Sequence, residues 1–235
     1  MLIAKGIILV YTLLFLSQQA QSQTADEIVK KHIEAIGGYE KIKGIKTMIF
    51  EGTFKLPNKE RTFKSYIIHD SAVRSENTDI GITGYGIITK NEGWEYIPAS
   101  SKSSVKKKSK QEVKDAQSTL DVHGPLVDYI EKGNKITYLG KETVKEKECF
   151  KLRLIKSNKK AFIFYFDSTY LISRVIYLRH DWVPEFTLDY SYKRLDEGIS
   201  FVIKSIRLED GMETTYNYYL INPEIDRSLF TPDKL

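Results

Sequence analysis

From Lys135 to Ile221 the chain offers almost nothing but strands. Seven candidate strands (135–140, 147–156, 160–167, 170–179, 184–193, 199–208 and 212–221) are separated by turn signals as short as Ser157-Asn158, Asp167-Ser168, Asp196-Glu197-Gly198 and Asp210-Gly211. Connections that short cannot carry a crossover, so neighbours must pair antiparallel as a meander. Alternation begins earlier, after Ile45, where Met48, Phe50, Phe54 and Leu56 share one face and Thr47, Glu51, Thr53 and Lys55 the other, with Gly52 in the apolar row. Residues 61–69, 72–79 and 84–97 continue it, punctuated by Pro57-Asn58 and Asn91-Glu92-Gly93. The predicted fold is mainly β with a few helices, built on one antiparallel sheet of about ten or eleven strands.

Helices are expected in two places. Thr24-Ala25-Asp26-Glu27 matches a capping box, and Ile28, Val29, Ile33 and Ile36 follow at helical spacing until Gly37-Gly38 stops them. A short turn over Tyr39–Ile42 leads into the first strand. Residues 98–111 (PASSKSSVKKKSKQ) read as a solvated loop. Lys110–Val122 can form a helix, and Gly124-Pro125 starts another through Leu126, Val127, Tyr129 and Ile130, stopped by Gly133-Asn134.

A sheet with one face in water alternates cleanly, as Phe186, Leu188, Tyr190 and Tyr192 do against Thr187, Asp189 and Ser191. Other strands are apolar on both faces: Phe162, Phe164 and Phe166 oppose Ala161, Ile163 and Tyr165, and Ile172, Ile176 and Leu178 oppose Leu171, Val175 and Tyr177. Two apolar faces need two covers. The helices supply part of one, and the rest could be filled by the sheet curling on itself until its concave face, lined by Tyr, Phe and Ile, lies under a helical lid. Candidate lining residues of the resulting hollow are Phe50, Phe54, Tyr66, Ile68, Phe162, Phe164, Phe166, Ile172, Ile176, Phe186, Leu188 and Tyr190, with Leu126 and Tyr129 in a helical lid. A solid core fits the same periodicity.

The first 22 residues read as a secretory signal: Lys5, the apolar run Gly6–Leu16 and small residues at Ala20 and Ser22. The run is far shorter than the roughly 20 residues a membrane span needs. Cleavage would leave residues 23–235 as one exported domain. A lone cysteine, Cys149, forms no disulfide within the chain. The net charge of +5 is too small to argue for nucleic acid, and no aromatic residue interleaves the cluster Lys102, Lys106, Lys107, Lys108 and Lys110. That cluster is a solvated surface or a docking site for anionic headgroups.

Catalytic and metal signatures are missing. His32, His69, His123 and His180 are scattered with no pair at metal-ligand spacing, and successive strand residues point the His69-Asp70 and His180-Asp181 pairs to opposite faces. Gly81, Gly84 and Gly86 fit a bent strand better than a phosphate loop, and there is no GxSxG elbow. No enzyme, metal or cofactor is expected.

The segments TADEIVKKHIEAIGGYEKIKGIKTMIFEGTF, Arg74-Ser75-Glu76, Gly93-Trp94, HGPLVDYIEKGNKITYLGKETV and YNYYLINPEIDRSLF resemble the outer-membrane lipoprotein-sorting proteins of Bacteroidota, within the LolA/LolB-like superfamily of periplasmic carriers. The resemblance spans residues 24–232, with GPLVDYIEKG followed by LGKE its most specific part. It implies a curved, incomplete barrel with a cavity for lipid or lipoprotein acyl chains, carried from an inner-membrane donor to an outer-membrane acceptor without catalysis. It also implies that a strand arginine holds the closed state through helix backbone, a role that falls on Arg74. The long Lys/Ser stretch and the tyrosine-rich wall depart from the family pattern and leave the cargo open. The competing reading is a non-catalytic envelope protein of the same fold that fills its cavity with its own side chains and binds a protein partner.

Overall fold

The computed structural model describes residues 24–57, 59–98, 104–179 and 182–232. The expected signal segment, residues 1–22, lies outside the described residues, as does the His180-Asp181 pair. The chain runs α1 (Ala25–Ala35), α2 (Tyr39–Lys43), β1 (Thr47–Leu56), β2 (Lys59–Ile68), β3 (Ala72–Asp79), β4 (Ile82–Thr89), β5 (Gly93–Ile97), β6 (Ser104–Lys107) and α3 (Lys110–Ala116), which a 3-10 turn extends over Gln117–Leu120. Then come β7 (Lys135–Val144), β8 (Lys147–Ile155), β9 (Ala161–Phe166), β10 (Ile172–Leu178), β11 (Pro184–Arg194), β12 (Ser200–Arg207), β13 (Glu213–Ile221) and a 3-10 turn over Arg227–Phe230.

All 13 strands form one sheet in the order β6-β5-β4-β3-β2-β1-β13-β12-β11-β10-β9-β8-β7. Every pairing is antiparallel, and only β1 with β13 joins strands distant in sequence. The sheet is an incomplete half-barrel, with β6 and β7 as its two edges.

Strand phase explains the doubly apolar pattern. On one face Met48, Ile67, Val73 and Ile88 pack with Ile42, Ile45, Leu120 and Val127, while Leu152, Leu154, Phe164, Phe166 and Val175 pack with Ile28 and Val29 of α1. On the other face the C-terminal segment brings Ile225 and Phe230 onto Ala72, Tyr85 and Ile87, and Val144, Cys149, Ile163 and Tyr165 make a separate cluster. Both faces are therefore covered, by different parts of the chain. Burying a leucine-sized side chain contributes about 1.5–3 kcal/mol, so Leu152 and Leu154, both fully buried, anchor the β8 end of the inner face.

Local chemistry sets the helix ends. Thr24 and Glu27 make the expected capping box. The stop at Gly37 is required: its φ is +136°, and a Cβ there would lie 3.0 Å from the Gly198 carbonyl oxygen. That close approach, with the Ser200 amide donating to the Ile36 carbonyl at 2.8 Å, fastens α1 to the β11–β12 turn. Gly52 serves the sheet similarly, since a Cβ there would meet the Thr215 carbonyl and the Phe63 ring at a register shift in β1.

Two segments differ from expectation. The Lys/Ser stretch is not all loop: Ser104–Lys107 is an edge strand on β5, and Ser109 caps α3 with Glu112. Lysines on an edge strand deter further pairing, which suits a strand with Val105 as its only apolar anchor. Residues 124–134, expected to be helical, form successive turns. Gly124 and Asp128 both take positive φ, 78° and 50°, and Leu126 and Val127 enter different clusters, so no continuous helical stripe develops.

Candidate functional site: a covered hydrophobic hollow

Between the helical cover and the inner face of β9–β12 lies a cavity of about 570 Å³. Phe162, Phe164, Tyr177, Tyr190 and Phe201 line its sheet side, and Ile36, Ile42, Val122 and Leu126 its roof. The tyrosines are buried by one another: Tyr177 hydrogen-bonds to Tyr190, and burial pushes the hydroxyl pKa of Tyr190, Tyr192 and Tyr219 well above the usual phenol value. Tyr177, Tyr190 and Tyr192 line the wall as neutral phenols. Rigid aromatic packing shapes it further, with Tyr177 stacked on Phe186 at 4.2 Å and Phe201 on Tyr219 at 4.7 Å.

Three basic side chains reach the hollow. His32 donates from Nδ1 to the Tyr170 carbonyl at 2.8 Å, and burial lowers its pKa to about 4, so it is neutral at pH 7. His123 enters from the roof. Lys156 lines the same space, and its ammonium pKa is lowered by desolvation.

The roof is fastened by polar contacts. Lys43 of α2 pairs with Asp128 at 2.6 Å, Tyr129 donates to Asp26 of α1, and Asn134 donates to the Pro125 carbonyl at 2.9 Å. Lys132 adds Asp121 at 2.6 Å and the Gly124 carbonyl at 2.7 Å, while Leu126 and Val127 are buried against the two inner clusters.

Of the residues expected to line a hollow, Phe162, Phe164, Ile172 and Tyr190 do so, and Leu126 is in the roof. Phe166 is on the same face but sealed beneath α1, its ring 5.2 Å from that of His32. Phe186 stacks at the margin, and Leu188, opposite Val175, shares the inner face without reaching the cavity. Phe50 lies in an aromatic cluster with Phe63, Tyr216 and Tyr219. Phe54 stacks on Phe63 and borders a second trough of about 790 Å³, where Ile80, Ile82, Tyr85, Tyr96 and Ile97 mix with Ser75, Asn77, Asp79 and Glu95.

Tyr66, Ile68 and Ile176 lie on the outer face, because one-residue parity decides the side and their paired neighbours Ala72 and Ile163 point outward. Arg74 is also outward. It donates to the Leu229 carbonyl at 3.1 Å, pairs with Glu76 at 2.7 Å and lies 4.0 Å over the Tyr85 ring. It does reach a carbonyl of a helical turn, but that turn is the C-terminal 3-10 segment and not the roof of the hollow.

Sequence spacing also missed one constellation. The Asp70 amide donates to the Leu120 carbonyl at 2.8 Å, which docks the β2–β3 turn on the 3-10 segment after α3. This brings His69 to within 3.9 Å of His123, ring centre to ring centre, with Asp121 beside them. The Asp121/His123 spacing of two residues was visible, but His69 is 52 positions before Asp121 and carried no signal.

A half-barrel of antiparallel strands capped by N-terminal helices and a central insertion, around an apolar hollow, defines a LolA-like fold. Known structures share it. A LolA superfamily protein from Nitrosomonas europaea superposes with a TM-score of 0.59 at 12% identity, over 90% of this chain and 99% of that one. A DUF1329 family protein from Desulfovibrio piger gives 0.59 at 16% identity, over 89% and 98%. An outer membrane lipoprotein-sorting protein domain from Vibrio parahaemolyticus gives 0.56 at 14%, over 88% and 95%. No family model matches the sequence, and no curated protein matches it. Identities this low establish the fold alone. No helix among the described residues is long and apolar enough to cross a membrane.

Proposed function

We propose that this chain is a non-catalytic periplasmic carrier that takes acyl chains of a lipid or lipoprotein into the hollow for transfer toward the outer membrane. The observation that carries the reading is the aromatic and aliphatic cavity of about 570 Å³ beneath the roof segment. Its volume falls within the roughly 300–1,000 Å³ of small-molecule sites. Each methylene entering it gains about 0.8 kcal/mol, so one tail binds usefully while release remains accessible. The titratable side chains on its wall are His32, His123 and Lys156 beside neutral phenols, a lining suited to solvating hydrocarbon. Lys156 gives the wall one cation for an anionic headgroup. The fold shared with a lipoprotein-sorting domain agrees with this use.

The test is native mass spectrometry of gently purified protein, followed by solvent extraction and displacement of a fluorescent fatty acid. Co-purifying lipid and saturable displacement are expected. A chain that arrives empty and rejects the probe would overturn the carrier reading, and a stoichiometric envelope protein without lipid would replace it with partner binding.

A further inference from the structure

We infer that His69, His123 and Asp121 form a binding site for a borderline transition-metal ion such as Zn²⁺, at the junction between the end of β2 and the roof of the hollow. One ligating atom from each of the three lies within 4.8 Å of the other two. His123 is buried, with 6% of its surface exposed, and its Nε2 sits 3.0 Å from the Ile45 carbonyl. A carbonyl only accepts, so Nε2 carries the proton and Nδ1 presents a bare lone pair. That Nδ1 is buried and has no hydrogen-bond partner, and the same is true of Nδ1 of His69.

Leaving a buried polar atom unpaired is unfavourable, and two such atoms sit on adjoining rings, tilted 40° to each other, beside a carboxylate. The geometry of His123 is that of a metal ligand, whose second ring nitrogen ordinarily donates to a backbone carbonyl and thereby fixes the tautomer. Two imidazoles and one carboxylate suit Zn²⁺, Ni²⁺ or Cu²⁺ and fit poorly with Mg²⁺ or Ca²⁺, which favour oxygen.

Bonds of about 2.0–2.1 Å in a tetrahedral site put ligand atoms roughly 3.4 Å apart. Side-chain rotation of the half-buried His69 and Asp121 closes the difference. Lys132 is the competing cation: its ammonium holds Asp121 at 2.6 Å and the Gly124 carbonyl at 2.7 Å. Metal entry exchanges one partner of Asp121 and leaves Lys132 on Gly124. Because His123 also lines the hollow, a bound ion would tie its roof to the sheet.

The test strips the purified full chain with chelator and titrates ZnCl₂ against a chromophoric zinc indicator, with CoCl₂ absorption reporting nitrogen–oxygen ligation. One equivalent of zinc is expected, with a raised melting temperature, and His69→Ala and His123→Gln should each weaken it at least tenfold. His69 is only half buried, so its variant reports on ligation even if His123→Gln folds poorly. Absence of saturable zinc binding, or wild-type affinity in folded His69→Ala, overturns the site. Neither outcome bears on lipid uptake, which the displacement assay reads separately.

Discussion

Tyr129 donates its phenolic hydrogen to Asp26, joining the turn segment over the hollow to the first turn of α1, 103 positions away. Burial and the carboxylate together push the Tyr129 pKa up to about 12, so the bond persists across physiological pH. Tyr129 and Asp26 also border a groove of about 310 Å³ between these segments, so the contact spans a seam in the cover.

Tyr129→Phe keeps the ring and removes this bond, worth about 1 kcal/mol. Fatty-acid dissociation measured by stopped-flow fluorescence should accelerate by up to about fivefold. An unchanged off-rate would show that the seam does not gate the hollow.

Val202 lines the cavity from β12 and is only half buried, so a larger side chain can enter the space without breaking the core. Val202→Trp should shorten the tail that fits. With about 0.8 kcal/mol for each excluded methylene, affinity for long-chain probes should fall more steeply than for short ones in a chain-length series.

Arg74→Ala should destabilise the protein by about 3 kcal/mol, because Glu76 and the Leu229 carbonyl lose a largely buried cation. The damage should be local to the C-terminal segment, seen as early proteolysis after residue 222. Since Arg74 faces away from the hollow, folded protein should keep its probe affinity. A selective loss of lipid binding would instead connect this arginine to the closed state.

His32 gives a pH dependence with a defined sign. It packs edge-on against Phe166 and donates to Tyr170, and its pKa is about 4 against 6.5 for the free side chain. Between those values the unfolded chain binds more protons, so stability is fully present above about pH 6.5 and declines as the pH falls toward 4. The window amounts to about 3 kcal/mol. Burial lowers His69 and His123 as well, adding to the same slope. Urea midpoints at pH 7.5 and 5.0 should therefore differ less in His32→Gln than in the parent chain.

Period-two alternation, short polar turns and the capping box were readable because each depends on neighbours a few residues apart. They account for the single antiparallel sheet, for α1, and for most strand boundaries. The C-terminal strands were legible down to their turns, whereas residues 124–134 were not, since the positive φ of Asp128, whose carboxylate pairs with Lys43 of α2, interrupts the helix its apolar spacing suggests.

What a residue faces was decided only by tertiary structure. Ile163 and Phe164 are equally apolar, yet one faces outward beside Cys149 and the other lines the hollow. Apolar side chains on both faces make alternation silent about direction, and Tyr66, Ile68, Arg74 and Ile176 went outward because the C-terminal segment and the outer cluster could bury them there. Local alternation was enough to specify one antiparallel sheet with apolar residues on both faces. The long-range closure of β1 on β13, the roof and the meeting of His69 with His123 depend on contacts between distant segments, which no local pattern encodes.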